Sequence, residues 1–306
     1  MVERTRGISI TGVIMVTVAT FSLPVGAALA TGLFDTGGAW GVSSLRLGLA
    51  SIMLLLLARP MPWRWGKAAW RDVVLFGISL AGMNGFFYAA IERIPLGVTV
   101  AIQFVGPLAL AVLLSKSRRD YFWIGMASAG LAALGVESVT GTTAFDPLGI
   151  LYAALAGVSW AFYILMSARV GQHLPGLQGL PVAAFIAALV LLPVGFNGVV
   201  NLVASPEIYW LMLAVAFIST VVPTSLELAA LRRIPRNTFS ILLSLEPVFA
   251  ALIGWVLLGQ TFGALRSVAI VLIIGATIGM TIGAARLSTE VVEQHEKNKR
   301  NRVQRN

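Results

Sequence analysis

Along these 306 residues, apolar side chains come in blocks of about twenty, and charges gather in the short gaps between blocks. Runs such as Ile8 to Leu33, Val73 to Ile91 and Ile208 to Leu231 have the length a helix needs to cross a bilayer. The pattern predicts ten spans, at about 8–30, 40–58, 73–91, 96–115, 121–139, 148–168, 178–197, 208–230, 237–257 and 264–285. The connections between them are too short to hold a soluble domain. The expected fold is an all-α polytopic membrane protein of ten transmembrane helices.

Composition agrees. The chain is 58% hydrophobic and 11% charged, against roughly 25% charged in ordinary globular domains. It has no cysteine, which removes disulfides, thiolate chemistry and Cys-based metal sites. His173 and His295 fall in a loop and the tail, so no metal site and no cofactor are expected. Arg4, Arg6, an apolar run and Ala28-Leu29-Ala30 imitate a secretory signal. The run is longer than a signal's core of roughly 7–15 residues, so the first block is read as a span.

The spans repeat. Residues 88–114 read YAAIERIPLGVTVAIQFVGPLALAVLL and residues 228–254 read LAALRRIPRNTFSILLSLEPVFAALIG. Ala89-Ala90 matches Ala229-Ala230, Arg93-Ile94-Pro95 matches Arg233-Ile234-Pro235, Pro107 matches Pro247, and Gly135 matches Gly275. The chain therefore divides into a first five-helix repeat (1–143), a second (144–286) and a basic tail (287–306). Five is odd, so the second repeat enters the membrane upside down relative to the first. Inverted repeats are a recurring plan of secondary transporters, with the substrate near the midplane where the repeats meet.

The basic residues orient the bundle. With the N-terminus inside, 19 of the 22 Lys and Arg fall on the cytoplasmic side. Only Arg93 and Arg266 fall outside, and Arg46 lies within a span. The positive-inside rule then puts both termini in the cytoplasm. The net charge of +9 reads mainly as a topology signal, and no nucleic-acid partner is expected.

The stretches RIPLGVTVAIQFVGPLA at 93–109 and SLELAALRRIPRNTFSILLSLEPV at 225–248 resemble the drug/metabolite transporter superfamily, and within its EamA-type carriers the bacterial threonine/homoserine exporter group. The resemblance extends over essentially the whole chain, including an Arg early in the second span, Arg46. It implies export of small amino acids or related metabolites from a bacterial-type inner membrane. In that group the position of Gln103 is commonly Glu. The amide here keeps hydrogen bonding and loses a titratable group, which tells against proton coupling through this position.

Few polar residues lie inside the spans. Glu246 sits about ten residues into the ninth, roughly 15 Å deep. An intramembrane acid is a candidate functional group by default. It would bind a substrate ammonium or carry a proton, the alternative being a structural pair with Arg46. Pro107 and Pro247 each free a carbonyl four residues earlier, at Gln103 and Leu243. Paired breaks point to a transporter's binding site, and a packing kink is the plainer reading. Gln103 and Asn84 suit an amino-acid headgroup or interhelical hydrogen bonding. Arg46 would attract a substrate carboxylate, although pairing with an acid or snorkelling is favoured.

Trp160 and Tyr163, three apart on one helix face, would wall a cavity or simply pack. Tyr88 and Ser244 are weaker lining candidates. Trp40, Trp63, Trp65, Trp70, Trp123, Trp210 and Trp255 fall near span ends, as an aromatic belt would. Glu137 and Glu227, also near span ends, read as solvated. Gly125/Gly130/Gly135 and Gly275/Gly279/Gly283 read as helix-packing stripes or a homodimer face. The expected activity is alternating-access export of a small zwitterion, with proton coupling open. A second reading is export of other metabolites or cationic amphiphiles by the same fold. A remote third is a membrane enzyme on a lipid-linked substrate, for which no carboxylate pair, membrane histidine or nucleophile motif is present.

Overall fold

The computed structural model describes residues 9–114, 122–123, 125–130, 133, 146–231, 233–234, 239, 242–243, 245–260, 263–265, 267–276 and 278–279. The regular structure among them is helical. In chain order the helices are α1 (Ile10–Thr31), α2 (Phe34–Ala58), α3 (Lys67–Ile91), α4 (Leu96–Leu114), α5 (Pro147–His173) and α6 (Gly179–Val203). They continue with α7 (Tyr209–Ala216), α8 (Val222–Leu231), α9 (Glu246–Leu258) and α10 (Ser267–Ala276). A π-helical turn, Phe217–Val221, joins α7 to α8 in one rod. Six of the described helices are long and apolar enough to cross a membrane. Of the expected span at 121–139, residues 122–123, 125–130 and 133 are helical, and the tail at 287–306 lies outside the described residues.

Local chemistry sets the helix ends. Asp146 caps α5, accepting a hydrogen bond from the Leu148 N–H at 2.9 Å, with Pro147 in the first turn. In α2, Gly38 has φ +58 and breaks the helix, a conformation that disfavours any residue with a Cβ. The Ala39 N–H exposed by the break donates to Glu92 Oε1 at 3.2 Å. The regular part of α2 therefore starts at Ala39, near the expected start of the second span.

The interior is built from small residues. Gly37 and Gly41 of α2 meet Gly198 of α6, and a Cβ added to Gly41 would stand 2.8 Å from the Gly198 Cα. Gly106 of α4 and Gly157 of α5 are in equally close backbone contact. Lipid is as apolar as Leu, so membrane helices associate by such close packing rather than by hydrophobic burial. The outer surface carries Ile14, Phe21, Ile52, Leu56, Phe162, Phe185, Val194 and Trp255, all exposed. An apolar surface of this extent suits a lipid environment. Gly130 packs on Leu272 and Ile273 of α10, and Gly279 packs on Trp123. Those glycines serve contacts within the chain. Gly135 and Gly283 lie outside the described residues.

Both Arg-Ile-Pro corners are used alike. Ile94 packs on Gly149 in the first turn of α5, and Ile234 packs on Gly12 in the first turn of α1. Helices α3 and α5 run antiparallel and are fastened at both ends. At one end Arg93 Nη1 lies 2.6 Å from Asp146 Oδ2. At the other, Asp72, buried in α3, has His173 Nε2 at 3.4 Å and Arg71 Nη2 at 3.1 Å. The Arg93 guanidinium, with the Leu148 N–H second, holds the Asp146 carboxyl below the usual carboxylate range.

Candidate functional site

Arg46 lies two turns past the Gly38 break and faces inward. It is 2% exposed. Its Nη1 donates to Ser219 Oγ and Thr220 Oγ1, each at 2.9 Å, and its Nη2 donates to Asn84 Oδ1. The Tyr88 ring lies beneath, 4.8 Å from the guanidinium carbon, within the range of a cation–π contact. Each partner is itself oriented. Ser219 donates to the Val215 carbonyl at 2.6 Å, and Asn84 Nδ2 donates to the Leu80 carbonyl at 2.9 Å.

The π turn helps to build this site. It includes Ser219 and Thr220, both of which meet Arg46. On α3, Asn84 and Tyr88 are four residues apart and so share a face. Three helical rods thus converge on one guanidinium.

All four partners of Arg46 are neutral. Among the described residues it makes no ion pair. An arginine at the middle of a membrane helix costs about 3 kcal/mol on insertion scales, and hydroxyls and an amide solvate its charge without cancelling it. The alternative pairing with Glu246 is absent among the described residues, and Arg46 does not snorkel outward. Three buried polar atoms among the described residues lack a hydrogen-bond partner: Arg46 Nε, Ser43 Oγ and Tyr88 Oη. Ser43 lies three residues before Arg46 on the same helix face, and Tyr88 carries its hydroxyl on the ring beneath the guanidinium.

Glu246 begins α9, with Pro247 in the helix's first turn. The preceding residues are joined by short-range bonds, Leu245 N–H to Leu242 O at 3.1 Å and Val248 N–H to Leu245 O at 3.0 Å. The half-buried Glu246 therefore sits at a helix N-terminus, where the helix dipole favours a negative charge. It forms no ion pair among the described residues. Ala250, one turn on, packs in the same cluster as Tyr88 and Phe104.

The two prolines differ. Pro107 lies inside continuous α4, and the Gln103 carbonyl it frees packs against α5, 2.7 Å from where a Gly157 Cβ would stand. The freed carbonyl is thus covered by a helix–helix contact. Gln103 is 7% exposed. Trp160 and Tyr163 do not form one wall. Trp160 stands edge-on to Phe104 at 4.6 Å, whereas Tyr163 lies against Phe76 at 4.9 Å in another cluster. Ser244 lies outside the described residues.

Trp40 leaves the expected belt. It packs inside the bundle on Phe86 at 5.6 Å and Tyr152 at 6.0 Å. Trp63, Trp210 and Trp255 are exposed, as a belt requires. Glu227, expected in solvent, is half-buried in α8 and close enough to Glu246 and Tyr163 to act on both electrostatically. Sequence reading missed Ser43, Ser219 and Thr220, small hydroxyls with no signal of their own in apolar runs.

Known proteins resemble this chain along most of its length. The description of the EamA-like transporter family matches residues 147–282. The threonine/homoserine exporter RhtA of Salmonella typhimurium (strain SL1344) is 37% identical over 278 residues, 90% of this chain and 92% of that protein. The exporter of the same name from Escherichia coli (strain K12) is 37% identical over 274 residues, 88% of this chain and 91% of that one. The uncharacterized transporter YwfM of Bacillus subtilis (strain 168) is 27% identical over 228 residues, 72% of this chain and 76% of that one. A crystal structure of a protein only 20% identical shares the fold, with TM-score 0.54 over 89% of this chain and 98% of that one.

Proposed function

The chain belongs to the EamA-like transporter family and is a transporter, not an enzyme; from that premise we propose that it exports small amino acids. The substrates are of the threonine and homoserine type, and the membrane is a bacterial inner membrane. The observation that carries this reading is 37% identity over 90% of the chain to a threonine/homoserine exporter.

The working cycle is alternating access between two inverted five-helix repeats, with both termini cytoplasmic. Supporting the inversion, each Arg-Ile-Pro corner packs on a glycine in the first turn of the helix that opens the other repeat. Glu246, at the helix break beside Pro247, receives the substrate ammonium. Such half-helix ends in membrane bundles face ions and charged headgroups. Glu227 nearby supplies a second carboxylate, which gives proton coupling a route that avoids Gln103. Asn84, Tyr88, Trp160, Tyr163 and Gln103 line the path in this proposal.

The test is efflux of threonine and homoserine from preloaded cells, wild type against Glu246→Gln at matched expression. Export by the wild type and its loss in the variant support the reading. Export retained by Glu246→Gln reduces that residue to a helix-end stabiliser. No export by the wild type overturns the substrate class.

A further inference from the structure

We infer that Arg46 is the seat of a substrate carboxylate, held between α2, α3 and the π turn. This inference rests on the exporter reading and names the group that the bundle grips. Its basis is an imbalance of charge and an imbalance of hydrogen bonds at one place.

Guanidinium has five N–H donors in a planar fork. Arg46 uses three, on Ser219, Thr220 and Asn84. The Nε–H has no acceptor, and one Nη2–H is also left over. A carboxylate accepts two parallel N–H bonds from such a fork and brings the missing negative charge. The other two orphans, Ser43 Oγ and Tyr88 Oη, are hydroxyl donors suited to the remaining lone pairs of the same anion. Buried polar groups without partners are rare in folded proteins and ask for an explanation. One ligand group answers all three.

The alternative is that Arg46 is purely structural, tying three rods together. A neutral donor would do that without the cost of an unpaired charge in a membrane bundle. The site also tells against cationic amphiphiles, since a cation entering here meets a fixed positive charge. Its second consequence is mechanical. A carboxylate on Arg46 joins α2 and α3 to the π turn, a stretch where the helical hydrogen-bond register is already altered, so the filled and empty states differ in what holds that turn.

The experiment needs no variant to begin. Full-length protein in liposomes is loaded with radiolabelled threonine, and counterflow is measured against unlabelled threonine, threoninamide or 2,3-dihydroxybutyrate. Threoninamide keeps the ammonium and loses the carboxylate charge; the dihydroxy acid does the reverse. The expected result is threoninamide weaker than threonine by about 10- to 100-fold, the range set by losing hydrogen bonds to a charged group. Arg46→Gln then narrows the gap between acid and amide.

Equal competition by threonine and threoninamide, in a wild type that does transport threonine, overturns the carboxylate seat and leaves the exporter reading standing. A wild type that moves neither threonine nor homoserine overturns the exporter reading, and thermal unfolding then decides this one. Acetate, lactate and succinate raising the unfolding temperature more than their amides do, and more than chloride does, supports the seat. No such difference overturns it.

Discussion

Arg93 and Arg46 are the same side chain in two treatments. Arg93 stands exposed at the corner between α3 and α4, with the Asp146 carboxylate 2.6 Å away. Arg46 is buried in α2 among hydroxyls, an amide and an aromatic ring, with no carboxylate in reach among the described residues. The exposed charge could rely on water, yet it is paired. The buried charge cannot, and it is unpaired. Economy of folding alone would reverse the two, since burying a charge without its counter-charge is among the larger costs available to a protein. The Arg93 pair fastens α3 to α5, whereas the Arg46 site is one charge short of closed.

The largest expected effect breaks the comparison at its buried end. Arg46→Gln removes the charge and the fork, and threonine efflux at matched expression should fall about 100-fold or more, as expected for losing several charge-assisted bonds. A second variant sharpens it by making Arg46 resemble Arg93. In Asn84→Asp, a carboxylate replaces the amide that already touches the guanidinium. Efflux should drop by a factor on the order of 10–100 because the internal acid occupies the fork, while the unfolding temperature rises above the wild-type value. Loss of activity with gain of stability is a pairing that a merely structural arginine would not produce.

Arg46→Lys retains the charge and discards the planar fork. Efflux should fall about 10-fold, chiefly through a raised KM, since a point charge holds a carboxylate less specifically. The smallest effect belongs to the exposed pair. Asp146→Asn should leave efflux within about twofold of wild type, as exposed ion pairs contribute little. Its signature is in pH. The Asp146 carboxyl titrates lower in the folded chain than in the unfolded one. Any stabilisation it brings is therefore present above about pH 4 and disappears as acid titrates the folded group. Unfolding curves of wild type and Asp146→Asn should differ at neutral pH and converge in strong acid.

Much of the scaffold was legible in the residues, and the site was not, for a physical reason. A block of twenty apolar residues reports contact with lipid, and α1, α3, α5 and α6 fall within a few residues of the blocks that predicted them. Inside such a bundle, however, the core is as apolar as the surface, so hydrophobic pattern does not reveal which face of a helix looks inward. The sequence places Arg46 at a depth but not on a face, and so leaves open whether it pairs with an acid such as Glu246. Ser219 and Thr220 became partners only through the π turn at Phe217–Val221, which leaves no mark in composition. Pro107 and Pro247 look equivalent in the repeat, yet one lies inside a continuous helix packed on Gly157 and the other stands where a helix begins. Their neighbours decided between them: a glycine opposite Pro107 allows the freed carbonyl to be covered. Trp40 stands near a span end as a belt residue would, and only its contacts with Phe86 and Tyr152 show that it faces inward.

The π turn also makes the chain's length matter more than its letters over five positions. Such a turn is an α-helix carrying one extra residue. Deleting one residue from 217–221 would restore an ordinary turn, change which side chains within it face Arg46, and leave the helix beyond facing nearly as before. Ser219 and Thr220, which lie inside the turn, would lose their places on Arg46. Many substitutions in this stretch should pass unnoticed, but a single-residue gap should not.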